Sequence, residues 1–68
     1  MHPGFRTFKL NDKGRVTVRD IAVDFSNLLD AMKSYGVDGR ELSLVQTKLE
    51  EACFFAKKSI AMKAENQE

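Results

Sequence analysis

The amino-acid sequence predicts an all-α protein: an antiparallel two-helix hairpin with a short extended or hairpin-like N-terminal arm, assembled as a homo-oligomer. Three observations support this. Apolar residues recur every three to four positions from Val18 onward, a short connection follows, and the second periodic stretch is apolar on more than one side. We expect one domain over residues 1–68, divided into an arm (1–17), two helices (18–35 and 39–63) and a polar tail (64–68).

The arm is predicted from two weakly alternating stretches on either side of a turn-like segment. Phe8 and Leu10 precede the segment Asn11-Asp12-Lys13-Gly14, and Val16 and Val18 follow it. Asn, Asp and Gly between two period-2 stretches favour a short hairpin or an extended excursion.

The first helix is predicted from one apolar stripe with a signal at each end. Thr17 and Asp20 have the spacing of a variant capping box, and Gly36 suits the left-handed position just past a helix end. The stripe consists of Val18, Ile21, Ala22, Phe25, Leu28, Leu29, Met32 and Tyr35.

The second helix is predicted to start after a cap formed by Asp38 and Glu41, so that a connection of a few residues makes the helices antiparallel. Its main stripe consists of Leu42, Val45, Leu49, Ala52, Cys53, Ala56 and Ile60, and a second line consists of Leu44, Phe55 and Met62. Because a lone two-helix hairpin cannot bury several faces, we expect copies of the chain to cover them. We expect the tail to fray.

Length and composition exclude several classes of protein. A chain of 68 residues is short for a self-contained enzyme, and we expect no catalytic residue, no metal site and no cofactor. The single Cys53 cannot form an internal disulfide and is interpreted as a small buried hydrophobic residue rather than a nucleophile. Because neither a signal peptide nor an apolar span is evident, we expect a cytoplasmic protein.

The net charge of +1 is unevenly distributed. Five basic residues and one acidic residue occur up to Arg19, whereas residues 20–56 carry three basic and seven acidic residues. The basic arm is a candidate for phosphate contacts, with rings that stack on bases; the alternative is that its Phe residues pack on the helices and its cations are only solvated. Its candidate residues are Phe5, Arg6, Phe8, Lys9, Lys13, Arg15 and Arg19.

A second candidate site lies near the start of the second helix. Arg40, Ser43 and Thr47 share one polar face, with Lys48 beside it, close to the free amides of a helix N-terminus that favour anions. The alternative is an ordinary solvated face. Such a face becomes a site only if symmetry gathers several copies of it around an axis.

Two segments resemble a known family. Residues 39–61 read GRELSLVQTKLEEACFFAKKSIA, in which TKLEEA is followed by an aromatic residue and then by an ending that contains basic residues, Ile and Ala. Residues 4–6 read GFR. These segments resemble the second helix and the short N-terminal motif of the phage sponge family, which counters CBASS and Thoeris immunity by sequestering cyclic nucleotide signals.

The resemblance implies a homohexamer of helical hairpins in the cytoplasm of the bacterial host. It implies that cyclic dinucleotides such as 3',3'-cGAMP bind between protomers, and that cyclic trinucleotides, which some members of the family bind, take a separate site near a threefold axis. Phe5, in place of the Tyr expected in this family, is then the stacking residue and Arg6 its neighbour. The phosphate ligand is Lys13, Arg15 or Arg19, and the second site consists of Arg40, Thr47 and Lys48.

Two other functions compatible with the sequence are not enzymatic. A small nucleic-acid-binding regulator would use the basic arm, and its affinity for long DNA would fall steeply with salt. A helical adaptor or inhibitor of a host protein would present an apolar helix face as a monomer or dimer. We expect that neither DNA or RNA polymers nor membranes are partners of this protein.

Overall fold

The computed structural model describes residues 9–68 and confirms an all-α hairpin of two helices. Helix α1 spans Asp12–Ser34, helix α2 spans Gly39–Ala61, and a short 3₁₀ turn follows at Ala64–Asn66. Within this described part there is no strand, only an isolated antiparallel bridge between Leu10 and Gln67. The hairpin is 11 Å thick, which is the diameter of one helix, so α1 and α2 form a single layer.

Helix α1 begins six residues before the predicted position, so the predicted arm is wrong for residues 12–17. The segment Asn11-Asp12-Lys13-Gly14 is predicted as a turn, but Asn11 is the N-cap and its Oδ1 accepts a hydrogen bond from the Gly14 amide at 2.8 Å. Asn and Asp favour turns and helix caps for the same reason, because their short side chains bond nearby amides. Residues 1–8 of the arm lie outside the described part.

The predicted cap at Thr17 and Asp20 is also wrong. Thr17 lies inside α1, and its hydroxyl donates to the Lys13 carbonyl one turn earlier at 2.9 Å. A hydroxyl in mid-helix commonly bonds back to the preceding turn in this way. Thr17 therefore carries no signal for a helix start.

The connection between α1 and α2 confirms the expected role of Gly36. Its φ of 99° lies in the left-handed region, and the Val37 amide donates to the Met32 carbonyl at 3.1 Å. The Gly36 amide donates to the Lys33 carbonyl at 3.1 Å, which completes a Schellman motif. Asp38 is the N-cap of α2, but its side chain makes no capping hydrogen bond, contrary to the capping box expected with Glu41.

Helix α2 ends at Ala61, two residues before the predicted end, and the following tail is ordered rather than frayed. Asn66 is 3% exposed, and its Nδ2 donates to the Ile60 carbonyl at 3.0 Å. Gln67 donates to the Ala61 carbonyl at 2.9 Å. The tail was expected to fray because it is polar, but its amide side chains bond the carbonyls that α2 leaves free at its end.

Packing between α1 and α2 follows the predicted stripes and leaves them half-buried. Of the residues the structure describes, no apolar side chain is buried. Leu28, Tyr35 and Ala52, which belong to the predicted stripes, are exposed. Eight large apolar side chains between residues 9 and 68 are exposed: Val16, Val23, Leu28, Tyr35, Leu44, Phe54, Phe55 and Met62. A single layer of two helices offers each helix only one neighbour, so the other faces stay in solvent.

Candidate functional site

Of the basic residues assigned to the arm, Lys13, Arg15 and Arg19 lie on helix α1. Lys9 precedes the helix, and its Nζ is 3.3 Å from Oε2 of Glu68. Phe5 and Arg6 fall outside the described residues. Lys13, Arg15 and Arg19 lie in the first two turns of α1 and are all exposed. Arg15 and Arg19 are four residues apart and therefore share a helix face, whereas Lys13 lies on another side.

Carboxylates of the tail stand beside two of these cations. The Nζ of Lys13 is 3.8 Å from Oε2 of Glu65, and Nη1 of Arg15 is 3.7 Å from Oε1 of Glu68. Arg15 also pairs with Asp12 and donates from Nη1 to the Leu10 carbonyl at 3.0 Å. All these side chains remain largely exposed, so the pairs are weak and a more highly charged anion can displace the carboxylates.

Arg19 lies one turn beyond this network. Within residues 9–68 it has neither an ion pair nor a side-chain hydrogen bond. A cation of this kind, on a rigid helix and next to Arg15, is available to phosphate without displacing a carboxylate.

The second predicted set lies on α2 toward the connection. The Thr47 hydroxyl donates to the Ser43 carbonyl at 3.0 Å, which leaves its oxygen lone pairs free to accept. The Lys48 Nζ is 3.8 Å from Glu51 Oε2, and Arg40 is exposed in the first turn of α2. Arg40, Thr47 and Lys48 are all exposed on α2. Lys13 and Arg15 lie at the opposite end of the hairpin.

A shallow open groove of about 220 Å³ runs between α1 and α2 at mid-length. This groove is not evident from the sequence, because its apolar residues belong to the predicted contact between the helices. Within residues 9–68 no cation lines it and Glu50 does, so this lining does not suit a phosphate. Its residues are Phe25, Ser26, Leu29, Gln46, Leu49, Glu50 and Cys53.

The residues that connect the two chain ends are not among those predicted from the sequence. Asn11 Nδ2 donates to the carbonyls of Glu65 at 2.9 Å and Gln67 at 3.2 Å, and the Asn11 amide donates to the Asn66 carbonyl at 2.9 Å. The Glu68 amide donates to the Lys9 carbonyl at 3.0 Å. We call residues 9–11 and 64–68, joined by these bonds, the terminal clasp. The one signal of this contact in the sequence is that basic residues near the N-terminus and two glutamates in the tail carry opposite charges.

The described residues contain no group of three His, Cys, Asp or Glu side chains able to hold a metal ion. Neither α1 nor α2 is long and apolar enough to cross a membrane.

The fold is a single-layer helical hairpin with exposed apolar faces and exposed cations. It places the chain among small helical-hairpin proteins. The family described as "Acb2/Tad1, hairpin domain" matches residues 4–61, which is most of the chain. The chain therefore belongs to the Acb2/Tad1 hairpin family, the anti-CBASS and anti-Thoeris sponges. Members of this family sequester their ligands and are not enzymes. No curated protein and no solved structure matches the chain.

Proposed function

We propose that this protein is a phage immune-evasion sponge that binds cyclic oligonucleotide second messengers in the cytoplasm of the bacterial host and does not cleave them. The family match over residues 4–61 is the observation that carries this proposal. Sequestration requires no catalytic group: the protein holds the messenger away from its effector and can release it intact.

The first ligand site is assigned to the N-terminal segment and the start of α1. Phe5 stacks on a base of a cyclic dinucleotide such as 3',3'-cGAMP, with Arg6 beside it. Lys13, Arg15 and Arg19 are the candidate phosphate ligands, and their exposure in the single chain supports this role. Arg19 is the strongest candidate of the three, because no carboxylate of the described chain pairs with it.

The second ligand site is assigned to Arg40, Thr47 and Lys48 and takes a cyclic trinucleotide. These residues are exposed on α2. Three copies around a threefold axis would present a ring of cations and hydroxyl oxygens to three phosphates. Symmetry would thus provide the enclosure that the single chain lacks.

The assembly is proposed to be a homohexamer. The absence of any buried apolar side chain among residues 9–68 supports self-association, because so little apolar burial leaves a hairpin of this size marginally stable. Phe54 and Phe55 are 60% and 63% exposed, and their rings meet edge to face with centroids 5.3 Å apart. Such a pair is a suitable centre for an interface.

A sponge acts at low messenger concentration only if it binds tightly. A nanomolar dissociation constant corresponds to about 12 kcal/mol. Two or three phosphate contacts and base stacking on an open surface fall short of this value, so enclosure between subunits has to supply the remainder. The proposed sites between protomers meet this requirement.

The test is a calorimetric titration of the purified protein with a panel of cyclic di- and trinucleotides, followed by recovery of the ligand and light scattering of the complex. We expect nanomolar binding, intact ligand and a mass of six protomers. A folded oligomer that binds none of the panel contradicts the proposal. The remaining candidates are then a DNA-binding regulator, tested by salt-dependent DNA titration, and a host-protein adaptor, tested by partner capture.

A further inference from the structure

The tail carries two carboxylates that lie beside the cations at the start of α1. Oε2 of Glu65 is 3.8 Å from Nζ of Lys13. Oε1 of Glu68 is 3.7 Å from Nη1 of Arg15, and its Oε2 is 3.3 Å from Nζ of Lys9. The tail therefore places negative charge on the same cations that are candidates for contacts with phosphate.

Main-chain contacts of the terminal clasp hold these carboxylates near the cations. The Glu68 amide donates to the Lys9 carbonyl at 3.0 Å, and Asn11 Nδ2 donates to the Glu65 carbonyl at 2.9 Å. Between the two glutamates, Asn66 is 3% exposed and its carbonyl accepts from the Asn11 amide at 2.9 Å. Exposed ion pairs alone hold long side chains weakly, so the docked main chain is what keeps both carboxylates in place.

The ion pairs themselves are accessible to a competing anion. The side chains of Lys13 and Glu65 are 66% and 62% exposed, and those of Arg15 and Glu68 are 56% and 43% exposed. An anion that binds these cations must either displace the tail carboxylates or bind next to their negative charge, and both lower its affinity. Asp12 also pairs with Arg15 and belongs to α1, so the tail supplies only part of the competing charge there.

Gly14 is the point at which the tail packs on α1. A Cβ built on Gly14 would lie 2.5 Å from the Asn66 main-chain oxygen, which is closer than real contacts allow. Gly14 is not among the glycines with positive φ, so the helix backbone itself accepts an alanine there. Alanine also keeps the amide that bonds the Asn11 cap. Gly14→Ala should therefore displace the tail without changing the net charge or the cap of α1.

We propose that the tail is an autoinhibitory cover on the N-terminal ligand site: Glu65 and Glu68 compete with phosphate for Lys13 and Arg15, and the tail leaves α1 when the ligand binds. This inference rests on the proposed cyclic-dinucleotide binding and adds a means of regulating that site. Residues 64–68 lie beyond residues 4–61, the part of the chain that the family matches.

The test removes the tail contact in two independent ways and measures the affinity for 3',3'-cGAMP by calorimetry. Gly14→Ala and the double variant Glu65→Gln, Glu68→Gln should each tighten binding roughly threefold to fivefold. Combining all three changes should add less than about 1.5-fold, because the same contact is removed twice. The matched control is Asn27→Ala, at an exposed position of α1 away from the tail, which should alter affinity less than about 1.5-fold.

Hydrogen exchange at the Asn11 and Glu68 amides shows whether the tail is docked. Exchange at both amides should be faster in Gly14→Ala than in the parent protein. It should also become faster when the parent protein is saturated with 3',3'-cGAMP, whereas a ligand that binds over a docked tail would slow it. Circular dichroism and light scattering check that the helices and the assembly are unchanged.

Two results overturn the inference while the proposed function stands: a displaced tail in Gly14→Ala with no gain in affinity, and slower exchange at the tail in the ligand-bound parent protein. If Gly14→Ala does not fold or leaves the tail docked, the glutamate variant decides. A gain no larger than that of Asp24→Asn, Asp30→Asn, which changes the net charge equally, then overturns the inference. A parent protein and variants that bind no cyclic nucleotide overturn the proposed function as well.

Discussion

The cations of the candidate site differ in whether a carboxylate lies beside them. Lys13 and Arg15 face Glu65 and Glu68, whereas Arg19 has no such neighbour within the described chain. The sequence identified all three as basic residues near the N-terminus. It did not show which of them already has a carboxylate partner, because those partners are more than 50 residues away in the chain.

Neutralising the tail carboxylates should tighten ligand binding if Lys13 and Arg15 are phosphate ligands. Exposed ion pairs are worth up to about 1 kcal/mol, so we expect the double variant Glu65→Gln, Glu68→Gln to bind 3',3'-cGAMP roughly threefold to fivefold more tightly. The matched control is Asp24→Asn, Asp30→Asn, which changes the net charge equally at exposed positions of α1. Affinity is measured by calorimetry. An equal gain in affinity for both double variants would show that net charge alone causes the effect.

The aromatic ring of Phe5 should contribute more to ligand affinity than the hydroxyl that a Tyr would add. Stacking of one base on an aromatic side chain is worth about 1–3 kcal/mol, so Phe5→Ala should weaken cyclic-dinucleotide binding by roughly tenfold to a hundredfold. Phe5→Tyr keeps the ring and should stay within about threefold of the parent protein. Calorimetric titration of both variants checks this, and a Phe5→Ala variant that binds normally would remove Phe5 from the site.

At the scale of elements, the two helices begin in different ways although both start after an Asx residue. The Asn11 side chain caps α1 and also bonds the tail, whereas the Asp38 side chain makes no capping bond to α2. The sequence suggested a cap at Asp38 and a turn at Asn11. Local residue types could not separate the two, because the tail that docks on Asn11 comes from the far end of the chain.

This difference predicts unequal costs for removing the two side chains. Asn11→Ala should lower the free energy of unfolding by about 1–2 kcal/mol, because it removes a cap and two bonds to the tail. Asp38→Ala should cost only a few tenths of a kcal/mol, since no side-chain bond is lost. Urea denaturation of both variants at one protein concentration measures the difference. Equal losses would contradict the assigned capping.

At the scale of the whole molecule, the hairpin exposes much of its apolar surface. Two helices in one layer leave Leu44, Phe55 and Met62 in solvent, as expected from the second apolar line on α2. This line was predicted from the helical period, and its exposure in the single chain agrees with that reading. The partner that covers it is proposed to be further copies of the chain.

A self-associating protein of this kind should melt at a temperature that depends on its concentration. Because assembly stabilises only the folded state, the melting temperature should rise by several degrees for a hundredfold increase in protein concentration. Circular dichroism melts over that range measure the shift. A melting temperature independent of concentration, in a protein whose mass is that of one chain, would contradict the proposed oligomer.

The exposed face of α2 can be tested directly at Phe55. Burying a carboxylate in an apolar contact is costly, so Phe55→Glu should shift the particle mass from several protomers toward one. Asn27→Glu adds the same charge at an exposed polar position of α1 and should leave the mass unchanged. Light scattering at matched concentrations distinguishes the two variants, and an unchanged mass for Phe55→Glu would exclude this face from the interface.

The sequence alone determined the two-helix hairpin, the family and the left-handed Gly36, because helical period, a short connection and a glycine signal are local properties. Only the tertiary structure decided where α1 begins and that residues 64–68 are ordered. Both depend on contacts between residues more than 50 positions apart: Asn11 with the tail, and Asn66 with Gly14. Local sequence predicts disorder for a polar tail and a turn for an Asn-Asp-x-Gly segment. In the folded chain the two segments contact each other and form the hydrogen-bonded clasp.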